Sequence, residues 1–132
     1  MKPDFTQFDD IPGTTIFTIE KARQGFALNQ FCMSLRTEEN RKRFLADEES
    51  YLADWDLTEG QKHAVLTRDF QQMLDEGGNV YFLSKIFASE GKSYVQAVST
   101  MTDMNVEQYQ AMMSAGGRSI EGWRSKKERG EA

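Results

Sequence analysis

Apolar side chains recur along most of this chain at helical rather than alternating spacing. Leu28, Phe31, Cys32 and Leu35 stand at i, i+3, i+4 and i+7, which places all four on one side of a helix and predicts a buried stripe. Thr18 offers a hydroxyl to cap that helix, and Glu20 puts an acid in its first turn, where the helix dipole favours negative charge. The pattern breaks between Ser34 and Thr37. Thr37 then caps a second predicted helix with Phe44, Tyr51, Leu52 and Trp55 on its buried side. Its outer side carries Arg41, Lys42 and Arg43 followed by Asp47, Glu48 and Glu49, a run that solvates a helix and supplies weak local pairs. A third helix opens at Thr58, buries Leu66, Phe70, Met73 and Leu74 at i, i+4, i+7 and i+8, and stops at Gly77-Gly78. Glycine takes the left-handed conformation of a helix end at least cost.

Asn79 caps the next segment, Val80 to Ala88, which is apolar except at Ser84 and Lys85. A surface helix is not apolar nearly all round. This one is expected either to be the centre of the domain or to pack on the domain with one side and on another protein with the other. Gly91 ends it, and Lys92-Ser93-Tyr94-Val95 begins a short helix or loop. A last helix runs from the cap Asn105 through Val106, Tyr109, Met112 and Met113 to Gly116-Gly117. No alternating strand pattern and no internal repeat accompanies these helices. The expected fold class is therefore all-α, a single helical domain over residues 1–132. Residues 1–17 are expected as an extended arm with Phe5, Phe8 and Ile11 as apolar anchors, and residues 125–132 as a charged tail.

Charge and composition narrow the partners. A net charge of −5 repels phosphate backbones and anionic membranes, so nucleic acid and membrane surfaces are disfavoured. Cys32 is the only cysteine, so no intrachain disulfide is expected and the cytoplasm is the simplest compartment. No apolar run approaches the roughly 20 residues of a membrane helix, and Met1-Lys2-Pro3-Asp4-Phe5 lacks the apolar stretch of a signal peptide.

Catalytic chemistry is sparse. A metal site of two histidines and one carboxylate needs two imidazoles, and His63 is the only one. Glu59 and His63 lie four apart on one helix face without a third ligand, and His63 shares a face with Leu66 and Phe70, so it reads as structural or partly exposed. Cys32, inside an apolar stripe, reads as a small hydrophobe, and the seven methionines as flexible core filler. The glycine pairs lack the spacing and the preceding strand of phosphate-binding loops.

Four blocks carry a resemblance: Phe8-Asp9-Asp10-Ile11-Pro12-Gly13-Thr14, Leu28-Asn29-Gln30-Phe31, the long run Asp75-Glu76-Gly77-Gly78-Asn79-Val80-Tyr81-Phe82-Leu83-Ser84-Lys85, and Gly116-Gly117-Arg118-Ser119. From Phe8 to Arg124, in one register, the chain resembles the alpha subunits of the protocatechuate 4,5-dioxygenase family. The resemblance implies a small helical subunit with no catalytic residue or metal ligand of its own. Its partner would be a larger catalytic beta subunit that holds Fe(II) through two His and a Glu, binds the catechol acid and activates O2. It further implies extradiol opening of 3,4-dihydroxybenzoate, with the small subunit covering the site and excluding bulk water. Members of that family carry Phe at the position of Tyr94, beside the substrate pocket. Tyr94 is thus expected either to line the pocket, where its hydroxyl suits protocatechuate, gallate or a methoxylated catechol acid, or to pack at the interface with its hydroxyl in water. Tyr81, Phe82 and Phe87 are the expected subunit contacts, aromatics being suited to an interface core. Two rival functions are a free-standing helical module that binds a small molecule or protein, and a helix-turn-helix DNA binder. The second rests on helix count alone and is opposed by the acidic balance.

Overall fold

The computed structural model describes residues 4, 6–8, 15–117 and 130, and in it side-chain caps set where the helices begin. Thr18 accepts the Lys21 N–H at 3.2 Å and opens α1 (Ile19–Gln24), which α2 (Phe26–Ser34) follows after Gly25. Thr37 caps α3 (Glu38–Ala46) and Asp47 caps α4 (Glu48–Leu52). Thr58 and Gln61 form a reciprocal capping box at the start of α5 (Glu59–Thr67), and Asp69 caps α6 (Phe70–Asp75). Asn79 caps α7 (Val80–Ser89), a Ser93–Gln96 box opens α8 (Tyr94–Ser99), and an Asn105–Gln108 box opens α9 (Val106–Ser114). Each cap satisfies amide groups that the first helical turn leaves without partners. The described residues are otherwise loops and one 3-10 turn, Thr6–Phe8, so the all-α expectation holds. Phe8 is partly exposed; Phe5, Ile11 and all of the tail but Gly130 fall outside the described residues.

Three helices expected as continuous are each two. The first is interrupted at Gly25, where its backbone meets the backbone of Gly77. The second is interrupted at Asp47, which leaves helical geometry and turns its carboxylate onto the Ser50 N–H at 3.1 Å. The third stops at Arg68, whose φ of 56° is left-handed, and Asp69 restarts it by accepting the Gln72 N–H at 3.0 Å. That last break rotates the apolar register. Leu66, expected beside Phe70, Met73 and Leu74 in one stripe, is 38% exposed, and α5 buries Gln61, Ala64 and Val65 instead.

The core lies between α2 and α7 and spreads outward from them. Leu28, Phe31, Cys32 and Leu35 form the buried stripe as expected. Phe31 meets Phe44, Tyr51 and Trp55 edge-on at 5.2, 6.0 and 6.3 Å, the geometry that aromatic quadrupoles favour, with Trp55 only partly buried. A second aromatic group on the other side of α7 joins Phe70, Phe87 and Tyr94.

Arg68 ties the second and third of these interrupted helices to each other and to the end of α7. Its guanidinium donates to both carboxylate oxygens of Glu48 at 2.7 and 3.0 Å, to Glu90 at 2.7 Å and to the Val65 carbonyl, and lies 5.3 Å above the Phe44 ring. Burial works against its charge, but the hydrogen bonds and charges of Glu48 and Glu90 outweigh that and raise its pKa above the ordinary value. These contacts offset the roughly 1–2 kcal/mol that a side chain costs in the left-handed region. Arg68→Ala leaves two facing carboxylates without their cation. In urea unfolding at pH 7 it is expected to lose about 2–3 kcal/mol, less than a fully buried pair because solvent screens the site. Arg68→Lys restores charge without the planar fork and is expected to recover only part of that loss.

Candidate functional site

The helix that is apolar on nearly every side, α7, divides its faces. Leu83, Ile86 and Phe87 enter the core, while Val80 is 43% and Tyr81 64% exposed, with Phe82 packed at the boundary. Asn79 fixes the first turn by accepting the Tyr81 N–H at 2.9 Å. The Tyr81 ring then sits edge-on to Phe82 at 5.5 Å, and the Lys85 ammonium lies 5.4 Å over its face. At the start of α8 the Ser93–Gln96 capping box presents Tyr94, which is 56% exposed and rests edge-on against Phe87 at 6.1 Å. Phe87 is in turn held by Phe70 at 5.7 Å.

Of the four residues expected at a site, Tyr81 and Tyr94 therefore stand on the surface and Phe82 at its edge. Phe87 is in the core, 6% exposed, where it supports the Tyr94 ring from behind. A narrow apolar slot between α6, α7 and α8 is lined by Leu74, Val80, Leu83, Val98 and Met101 beside the rings of Phe70, Phe87 and Tyr94. Two large aromatic rings are thus left exposed here, Tyr81 on α7 and Tyr94 on α8.

Beneath this face lies a buried knot of amides that sequence reasoning did not find. Asn29, 7% exposed, donates through Nδ2 to the Gly77 carbonyl at 3.2 Å and accepts the Asn79 N–H on Oδ1 at 2.9 Å. Gln61, 1% exposed, donates through Nε2 to the carbonyls of Gln24 and Glu76, both at 3.0 Å, and accepts the Thr58 N–H at 3.1 Å. Lys21 adds a hydrogen bond to the Asp75 carbonyl. The two backbones between them touch at Gly25 and Gly77. A Cβ on Gly25 would overlap the Gly77 carbonyl, and Gly77 has a φ of +97° that disfavours any other residue. The available signal was an asparagine interrupting the polar side of an apolar stripe, together with the Gly-Gly-Asn run.

The chain's own donors do not fit a ferrous centre. His63 is exposed, and among the described residues no group of three His, Cys, Asp or Glu side chains converges on a metal position. With a single imidazole in the sequence, a two-histidine site cannot be assembled. The Cys32 thiol is fully buried, and burial pushes its pKa up, which leaves it a packing group. Among the described residues no helix is long and apolar enough to cross a membrane.

Residues 28–114 match the family model of the LigA subunit of the aromatic-ring-opening dioxygenase LigAB. The chain belongs to the LigA family. That family is the LigA subunit of an aromatic-ring-opening dioxygenase, the kind of protein that the four sequence blocks implied. The matched LigA stretch contains Asn29, Gln61, Gly77, Tyr81 and Tyr94. The chain is also similar to the gallate dioxygenase of Pseudomonas putida strain KT2440, with 25% identity over 101 residues, 76% of this LigA-type chain. It spans only 30% of the length of that relative.

Proposed function

We propose that this chain is the non-catalytic small subunit of an iron(II)-dependent extradiol dioxygenase, working in the cytoplasm and covering an active site carried by a larger beta subunit. The observation that carries this reading is the pairing of an exposed aromatic face, Tyr81 and Tyr94, with a donor set that holds one imidazole. The gallate dioxygenase relative adds support, because there a segment similar to this chain is under a third of a longer polypeptide bearing that name. Iron(II) on the beta subunit supplies the oxygen chemistry. The residues of this chain bind that subunit, keep bulk water from the site and orient the substrate.

Tyr81 and Phe82 are the subunit contacts, Phe87 braces Tyr94 from the core, and Tyr94 reaches the substrate pocket. Its hydroxyl donates to a carboxylate or ring hydroxyl of protocatechuate or a close catechol acid such as gallate. Tyr94→Phe keeps the ring that packs on Phe87, so chain stability is expected to change by less than about 0.5 kcal/mol. Losing a hydrogen bond to a charged substrate is worth about 1.5–3 kcal/mol, so KM for the carboxylated catechol is expected to rise about tenfold or more in the assembled enzyme. If KM and the ranking of substrates stay as they were, Tyr94 does not reach the pocket. Co-expression with the neighbouring reading frame, followed by a screen of catechol acids, tests the reading as a whole. Ring-opening activity that requires both chains is expected.

A further inference from the structure

We propose that the buried amides of Asn29 and Gln61 are positioning residues for subunit docking: they fix the direction and rotation of α7, and with it the place of Tyr81 and Phe82. The proposal rests on the reading that this face meets the larger chain.

Burial of apolar area is non-directional, and α7 is apolar except at Ser84, Lys85 and Ser89. A turn of α7 small enough to keep Ser84 and Lys85 outside could still bring Val80 or Phe82 inward in place of Ile86 or Phe87, exchanging one large apolar group for another. Little free energy distinguishes the two arrangements on burial alone. Directional bonds with buried ends do distinguish them, because a buried amide left without a partner is costly.

The knot supplies such bonds at the root of α7. Asn29 uses both ends of its side chain on the turn that launches the helix, one on the Gly77 carbonyl and the other on the Asn79 N–H. Asn79 passes the constraint on through its side chain to the Tyr81 N–H at 2.9 Å. Two hydrogen bonds thus connect a core residue of α2 to the backbone of the exposed tyrosine. Gln61 performs the matching task one layer away, tying the end of α1 at Gln24 and the end of α6 at Glu76 to the start of α5. Three segments remote in sequence, 24–29, 58–61 and 76–79, meet at one crossing, and α7 leaves from it.

Asn29→Asp tests this in the full chain. The carboxylate still accepts the Asn79 N–H, but it cannot donate to the Gly77 carbonyl and repels it. Phe44→Leu, a core change in α3, serves as a control matched in stability. At a temperature where both variants are folded, affinity for the co-expressed beta subunit is measured by calorimetry, and exchange of the Tyr81 and Leu83 amides, both bonded to Asn79, is measured in the chain alone. Asn29→Asp is expected to bind about tenfold more weakly than wild type and to exchange those amides faster, while Phe44→Leu does neither. Equal affinity for Asn29→Asp and wild type, or parallel losses in both variants, overturns the proposal. If the wild-type chain binds no beta subunit, the subunit reading fails by itself. Positioning is then decided by amide exchange, and unchanged protection at Tyr81 and Leu83 in Asn29→Asp refutes it.

Discussion

Gly25→Ala is expected to be among the most damaging single substitutions in the chain, although it adds only one methyl group. The methyl would overlap the Gly77 carbonyl and come within 2.8 Å of its Cα, so it meets backbone and not the movable end of a side chain. To admit it, the α1–α2 junction must separate from the 75–79 turn, and separation breaks the hydrogen bonds that Asn29 and Gln61 make there. Overpacking and broken buried bonds together are expected to cost more than about 3 kcal/mol. For a domain of this size that lowers Tm by roughly 10–20 °C. Gly91→Ala is the informative contrast. Gly91 also has a positive φ, +72°, but nothing lies within 4 Å of the added carbon. Its cost is the backbone term alone, about 1–2 kcal/mol. Thermal unfolding of the two variants side by side separates a steric requirement from a conformational one, and equal shifts would mean that the Gly25–Gly77 crossing does not matter.

The second large effect is expected in assembly, not folding. Tyr81→Asp places an acid in the first turn of α7, where the helix dipole favours it, and four residues before Lys85, where it gains an ion pair in the better orientation. Those gains compensate for the edge contact with Phe82 and the cation–π contact with Lys85. Folding stability is therefore expected to stay within about 0.5 kcal/mol of wild type. At an interface the same change removes an aromatic anchor and buries a charge, and affinity for the beta subunit is expected to fall by about 100-fold or more. A well-folded Tyr81→Asp chain that binds as tightly as wild type would move the docking face elsewhere on the molecule.

What was legible in the sequence was what local chemistry decides. Thr18, Thr37, Thr58, Asn79 and Asn105 each cap the helix expected of them, because an N-cap needs only a side-chain oxygen two or three residues before an amide. The stripe from Leu28 to Leu35 was legible for the same reason, since helical spacing alone aligns it. The breaks were not. Arg68 adopts a left-handed conformation because of Glu48 and Glu90, 20 and 22 residues away, and nothing adjacent to it announces that. Leu66 was misplaced as a consequence. The amide knot was hidden likewise, because Asn29 finds its partners 48 and 50 residues along the chain.

The placement of the four candidate residues was legible in part. The segment Val80 to Ala88 is apolar except at Ser84 and Lys85, and these two polar positions flank Tyr81 and mark the outer side of α7. Hence Tyr81 emerges and Phe87 is buried, although both are large aromatics on one helix. The most specific block of the sequence, Asp75 to Lys85, turns out to be architecture: a left-handed glycine, a cap and the launch of a helix.

The central claim is that these helices contribute a surface and not a metal centre. Purifying the chain alone and together with its beta subunit, then measuring iron content and catechol ring opening in each, tests that claim most directly. Iron and turnover are expected only where the beta subunit is present, with the isolated chain iron-free and inactive. A stoichiometric ferrous ion bound to the isolated chain, opening catechol acids without a second polypeptide, would contradict it.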